Sequence, residues 1–94
     1  MATSRHISLK DAARSEDIES MLKKNNIPFV NISSFSNEAF IVKLTQGEEV
    51  IFSLRKSLDL QISSLQLILS RLTIEGKRFS RLDLRFDKPV VTLR

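Results

Sequence analysis

The sequence predicts a single α+β domain, residues 1–94, in which two helices pack against one antiparallel sheet. Its 94 residues are 41% hydrophobic and 28% charged, which matches an ordinary globular domain and leaves no room for a second core. Apolar residues recur at helical spacing in two segments and alternate at strand spacing in the others. The predicted order is helix, strand, β-hairpin, helix and two terminal strands, which favours helices packed on an antiparallel sheet.

The first predicted helix follows a polar lead-in, residues 1–12, which we expect to be poorly ordered or a short strand. Ser15 is suited to the N-cap position, acidic residues occupy the first turn, and Lys23 and Lys24 occupy the last turn, as the helix dipole favours. Pro28 stops the helix, because proline cannot continue it. The apolar stripe that would face the sheet consists of Ile18, Met21 and Leu22.

A strand is predicted directly after this helix, and the polar residues 33–37 then predict a turn. The clearest β-signal is a hairpin with two alternating apolar rows: Phe40, Val42 and Leu44, then Val50, Phe52 and Leu54. A two-residue loop would place these rows on opposite faces of the sheet. A three-residue loop, residues 45–47, pairs Val42 with Val50 and puts Gly47 where a positive φ is required.

A longer amphipathic helix is predicted from Ser57 to a C-capping Gly76. The residues of its core stripe, spaced four and three apart, are Leu58, Ile62, Leu65, Leu69 and Leu72. Leu60 and Leu67 form a second apolar ridge about 200° around the helix, which we expect another surface to cover. Two terminal strands follow: one with Leu82, Leu84 and Phe86, and a shorter one after Pro89.

The composition excludes several classes of function. The chain has no cysteine and one histidine, so it offers neither a thiolate metal site nor a multi-histidine site. Its two glycines are far apart, so no glycine-rich phosphate loop exists. We therefore expect no catalytic residue, cofactor, metal ion or small-molecule substrate. The net charge of +4 lies within residues 71–94, where seven basic residues outnumber three acidic ones, and this favours an acidic partner.

The last strand is predicted to be an edge of the sheet, where unpaired backbone groups are open to an added strand. Pro89 agrees with this, because an edge position need not donate a hydrogen bond. With basic residues acting as clamps, the predicted partner-binding residues are Arg81, Arg85, Phe86, Lys88, Val90, Val91, Thr92, Leu93 and Arg94. The other interpretation of residues 81–85 is an ordinary solvated strand face whose charges pair with neighbouring strands.

One segment resembles a known family. It runs from Gly76-Lys77 to Leu82-Asp83-Leu84-Arg85-Phe86-Asp87, after an amphipathic helix and before a short terminal strand. The pattern Gly-Lys, a few residues, then apolar-Asp-Leu-Arg-aromatic resembles the end of the C-terminal β-domain of the FtsQ/DivIB family of bacterial cell-division proteins. The similarity covers residues 38–94, whereas the first helix matches only by its place in the order of elements.

The resemblance implies a non-enzymatic scaffold of the division complex at the septum. It implies a parent protein anchored in the cytoplasmic membrane by one transmembrane helix, with a POTRA domain and then this domain on the extracytoplasmic side. The implied partners are an FtsB/DivIC-like coiled-coil protein, whose end adds as a strand, and an FtsL-like protein. Arg85 would then pair with an acidic side chain of the partner, beside Phe86 and residues 88–94. The chain departs from the family at Pro89, where many members have small polar residues.

A basic α+β module that binds nucleic acid through its C-terminal end is the alternative interpretation. The chain has no Tyr or Trp, and its pattern predicts no exposed aromatic pair on which bases would stack. Nucleic acid is therefore the less favoured partner. The two interpretations differ in salt dependence, because phosphate binding weakens steeply with salt and strand addition persists.

Overall fold

The computed structural model describes residues 9–94, with side-chain surroundings from residue 16 onward. Two helices and five strands follow one another as α1 (Leu9–Lys24), β1 (Phe29–Ser36), β2 (Ala39–Leu44), β3 (Glu49–Ser53), α2 (Leu58–Glu75), β4 (Phe79–Asp83) and β5 (Val90–Leu93). The strands form one sheet in chain order, with β1 at one edge and β5 at the other. The predicted α+β class is confirmed.

The sheet is mixed, so the prediction of a wholly antiparallel sheet is wrong. β3 and β4 run parallel, with Val50 beside Leu82, and the other three strand pairs are antiparallel. The cause is α2, whose 18 residues span about 27 Å and carry the chain back to the end of the sheet at which β3 begins. Strands joined by such a crossover helix are parallel.

The hairpin of β2 and β3 has the predicted register, in which the paired residues include Val42 with Val50 and Phe40 with Phe52. The N–H of Leu44 donates to the carbonyl of Glu48 at 2.8 Å and closes the three-residue loop. Gly47 in this loop has a φ of 91°, a conformation that a Cβ disfavours. Both apolar rows consequently face the helices.

Both helices end with a residue in the left-handed conformation, Asn26 after α1 and Gly76 after α2. In each case the following N–H donates back into the last turn, which satisfies carbonyls that the helix leaves open. α2 begins as predicted, because the Oγ of Ser57 accepts a hydrogen bond from the N–H of Leu60. The predicted N-cap Ser15 is wrong, since α1 already starts at Leu9.

The early start of α1 makes residues 9–12 of the predicted lead-in helical. Leucine, lysine and alanine in this stretch are good helix formers, which outweighs the preference of Ser15 for a cap. The rest of the predicted lead-in lies outside the described residues. β1 is also longer than predicted, because residues 33–36 pair with β2 and the turn is confined to Asn37 and Glu38.

The core lies between the helices and one face of the sheet. Its buried residues are Ile18, Leu22, Ile27, Phe40, Val42, Leu44, Val50, Phe52, Ile62, Leu65, Phe79, Leu82 and Leu84. The side-chain amide of Gln61 accepts from the N–H of Ser53 and donates to its carbonyl, which ties the first turn of α2 to the end of β3. The predicted second ridge of α2 is exposed, Leu60 by 70% and Leu67 by 62%, and no described residue covers it.

Candidate protein-docking site

β5 is the free edge that the sequence predicts. On the side facing β4, the N–H of Arg94 donates to a carbonyl just before β4 at 3.0 Å. The carbonyl of Thr92 accepts from the Oγ of Ser80 at 3.3 Å on the same side. Because successive residues of a strand turn their backbone groups to alternate sides, Val91 and Leu93 direct N–H and C=O away from the sheet. An added strand would bond to these groups.

An apolar cleft lies beside this edge. Val91 and Leu93 are paired with the core residues Leu82 and Phe79, so their side chains lie on the helical side of the sheet. There a cleft of about 300 Å³ separates β5 from α2, and its lining residues are Ile68, Arg71, Leu72, Glu75, Lys77, Val91 and Leu93. A strand added to β5 would direct alternate side chains toward this cleft.

Basic side chains flank both ends of β5, as predicted from the sequence. The side chain of Lys88 is exposed and forms no hydrogen bond or ion pair with any of residues 16–94. Arg94 donates from Nη2 to the carbonyl of Gln46 in the hairpin loop at 3.2 Å. Val90 and Thr92 alternate with the cleft-lining residues and lie on the other face of the sheet. The fold therefore brings residues 88–94 together along one edge.

Arg81 and Arg85 turn away from this edge, in contrast to their predicted place as clamps beside β5. Arg81 donates from Nε and Nη2 to Glu49 of β3, at 3.2 and 2.8 Å. Arg85 donates from Nε and Nη2 to both carboxylate oxygens of Asp83, at 2.6 to 3.2 Å. Arg81 thus pairs with a neighbouring strand, as the other interpretation of this segment expects, whereas Arg85 pairs with Asp83 within its own segment.

The aromatic ring of Phe35, on β1, joins the two arginines. Its centroid lies 5.8 Å from Cζ of Arg81 and 5.1 Å from Cζ of Arg85, both within the range of cation–π attraction. We call Phe35, Arg81 and Arg85 the arginine cluster. A bridge from β1 to β4 must pass over β2 and β3, which lie between them. This explains why Ile51 is fully buried although it lies on the sheet face opposite the helices.

Asp83 is a buried carboxylate, 8% exposed, at the end of β4. The side-chain hydrogen bonds from Arg85 hold its pKa below the ordinary value of 3.8, although burial acts in the opposite direction. The same hydrogen bonds raise the pKa of Arg85. The pair is therefore ionised throughout the neutral range.

We expect Asp83→Asn to melt at a lower temperature than the wild type at neutral pH, because it loses the ion pair with Arg85. A depressed native pKa means that ionised Asp83 stabilises the fold above pH 3.8, and that this stabilisation is lost as the pH falls through the native pKa. The gap between the two melting temperatures should therefore narrow in acid. Circular dichroism melts from about pH 7 to about pH 2.5 measure this, and a constant gap would contradict it.

Reasoning from the sequence misses two residues of this region: Phe35 of the arginine cluster, and Glu49, the hydrogen-bond partner of Arg81. Phe35 falls among serines that predict a turn, and its isolation as an apolar residue there is the available signal. Glu49 meets Arg81 because the parallel register of β3 and β4 places them side by side. The prediction that β3 and β4 are antiparallel does not place these two residues side by side.

No protein-family model and no curated protein sequence matches this chain. The resemblance to the division family therefore depends on the residues of the chain itself. Among the side chains of residues 16–94, no three of the types that ligate metals converge. Neither of the two described helices combines the length and hydropathy that crossing a membrane requires.

Proposed function

We propose that this domain is a non-enzymatic binding module of a bacterial division scaffold, which captures an extended segment of a partner as an added strand on β5. The observation that supports this most directly is the free edge, where Val91 and Leu93 direct backbone groups outward beside an apolar cleft. Main-chain hydrogen bonds would supply affinity, and the cleft would select alternate apolar side chains.

The proposed partner is an FtsB/DivIC-like protein, with an FtsL-like protein in the same complex. The resemblance to the FtsQ/DivIB family supports this choice, and so does the charge of the edge. Lys88 at its start and Arg94 at its end favour a segment with acidic residues. We further propose that the parent protein is anchored in the cytoplasmic membrane and holds this domain on the extracytoplasmic side.

The test is a titration of the isotope-labelled domain with a synthetic peptide. The peptide carries the membrane-distal end of the FtsB/DivIC-like protein from the same genome. We expect saturable binding, with NMR shift changes concentrated in β5 and in the α2 residues that line the cleft. Affinity should fall only modestly between about 50 and 200 mM salt. The absence of binding, or shift changes confined to another surface, would refute the proposal.

Single-stranded nucleic acid is a second candidate partner, which one observation favours. The rings of Phe35 and Phe86 are 40% and 53% exposed, and they lie 5.1 and 5.4 Å from Cζ of Arg85. The fold thus assembles an exposed aromatic pair that the sequence pattern does not predict, and bases stack on such rings. However, the carboxylates of Glu49 and Asp83 beside the arginines would repel phosphates.

The same salt series with a single-stranded oligonucleotide separates the two candidates. If nucleic acid is the partner, binding should be detectable at low salt and should weaken by orders of magnitude at about 200 mM. If strand addition is the function, the oligonucleotide should not displace the peptide at either concentration.

A further inference from the structure

The outer face of α2 carries an apolar stripe that no described residue covers. Leu60, Leu67 and Ile74 are 70, 62 and 83% exposed, and we call them the outer stripe. They are seven residues apart, nearly two helical turns, so they lie within about 40° of one another on the side of α2 that faces away from the sheet. Single exposed leucines are ordinary on a protein surface, whereas a row at this spacing is typical of a seam between two helices.

A groove lies beside the N-terminal half of the outer stripe. It has a volume of about 600 Å³ and separates α2 from the segment between β4 and β5. Its walls include Leu60 and Leu67 of α2, with Phe86 and Pro89 of that segment, and the ring of Phe86 is 53% exposed. The outer stripe therefore has an apolar depression at one end and a projecting side chain, Ile74, at the other.

Two opposite charges flank the outer stripe on one side. Arg71 is exposed, lies on the side of α2 nearest β5, and forms no hydrogen bond or ion pair with any of residues 16–94. Asp87 lies at the groove on the same side, and its fully exposed carboxylate is 3.5 Å from Nζ of Lys56. Such an exposed ion pair is weak, so Asp87 can attract a further cation.

A second copy of the chain fits these features when its α2 runs antiparallel and a twofold axis passes beside Leu67. Leu67 then meets its own symmetry mate, and Leu60 meets Ile74 of the other copy, because both lie seven residues from the axis. Ile74 thereby reaches the groove. The twofold axis sets equivalent sides of the two helices against each other, so Arg71 of each copy approaches Asp87 of the other. The surface complements itself, as an isologous interface requires.

We propose that this chain forms an antiparallel homodimer through the outer stripe of α2. One helix face and one loop make an interface smaller than the roughly 1,600 Å² of a standard complex, so we expect a dissociation constant of about 0.1 mM. The chain is then monomeric at low micromolar concentration. The outer stripe faces away from the sheet, so each copy keeps its β5 edge open. Dimerisation is therefore independent of whatever binds at β5.

Sedimentation equilibrium of the full chain between about 0.01 and 1 mM tests the dimer, since this range brackets the expected dissociation constant. The mean mass of the wild type should rise from monomer toward dimer. Leu67→Glu should stay monomeric, because a dimer would bury two facing carboxylates at the twofold axis. Leu67 is exposed in the monomer, so the variant should fold, which circular dichroism checks. A wild type that stays monomeric throughout, or a Leu67→Glu protein that dimerises equally well, would overturn the proposal.

Three further variants place the interface on α2. Val30→Glu is the matched control, because Val30 is 65% exposed but lies on β1, and it should dimerise like the wild type. Val91→Pro should also dimerise like the wild type. A monomeric Val91→Pro protein would instead assign the interface to the sheet edge and contradict the proposal. Ile74→Lys is a second change in the outer stripe, which should weaken the dimer about tenfold or more and replaces Leu67→Glu if that variant does not fold.

Arg71→Glu and Asp87→Lys test the arrangement of the two copies. Each change alone should weaken the dimer about three- to tenfold at low salt, because it sets like charges against each other. The double variant again places opposite charges across the interface and should recover the wild-type dissociation constant. Two losses that simply add would exclude this antiparallel dimer.

Discussion

Leu65→Ala should lower the free energy of unfolding by about 2–5 kcal/mol. Leu65 lies in the middle of α2, is fully buried, and belongs to the cluster that joins both helices to the sheet. Truncation removes apolar contacts and leaves a cavity that a close-packed core fills only in part. A domain of this size has a total stability of roughly 5–15 kcal/mol, so the melting temperature should fall by about 10 °C or more.

Leu67→Ala is the matched control, because it makes the same change two residues further along the same helix. Leu67 is 62% exposed, so its truncation should change stability by no more than about 0.5 kcal/mol. Urea denaturation of both variants and the wild type gives the comparison. Equal losses in the two variants would mean that α2 presents a different face to the sheet.

Val91→Pro should weaken binding of the FtsB/DivIC-like peptide by about 10- to 100-fold, because the partner's carbonyl loses its hydrogen-bond donor. The N–H of Val91 points outward, so the hydrogen bonds between β4 and β5 do not use it. Proline is tolerated on an edge strand at such a position. The variant should therefore fold and have a melting temperature close to that of the wild type, while its affinity for the peptide falls.

Two further variants separate backbone from side-chain effects at this edge. Val91→Ala keeps the N–H and shortens the side chain, so it should retain most of the affinity. Thr92→Pro removes a donor that faces β4, so it should destabilise the fold itself. A folded Val91→Pro protein that binds the peptide as tightly as the wild type would exclude strand addition at β5.

The elements that were predictable from the sequence are those specified by local pattern and capping. The hairpin follows from two alternating rows and the place of Gly47, and α2 follows from its stripe between Ser57 and Gly76. The limits of α1 and β1 were not predictable, because they depend on competition between a cap and good helix formers, and on pairing with β2. The parallel register did have a signal, since a strand, a long helix and a strand form a crossover unit.

The candidate site was likewise predictable from the sequence only in part. The free edge of β5 was predictable, because Pro89 and the position of the last strand both indicate it. The direction of the arginine side chains was not predictable. Arg81 and Arg85 meet Glu49 and Phe35, which the order of strands in the sheet brings to one face from distant parts of the chain.

The order of the strands has a consequence for how the molecule assembles. Each strand pairs with the one that precedes it in the chain, so the sheet can grow in one direction as synthesis proceeds. The entropic cost of loop closure is small at every step except the crossover through α2. Contacts between strands that are close in the chain favour rapid folding. Until β5 emerges, β4 is the growing edge. A partner strand on β5 would be the sixth strand of the sheet, added at the same growing edge, so docking would repeat the last step of folding.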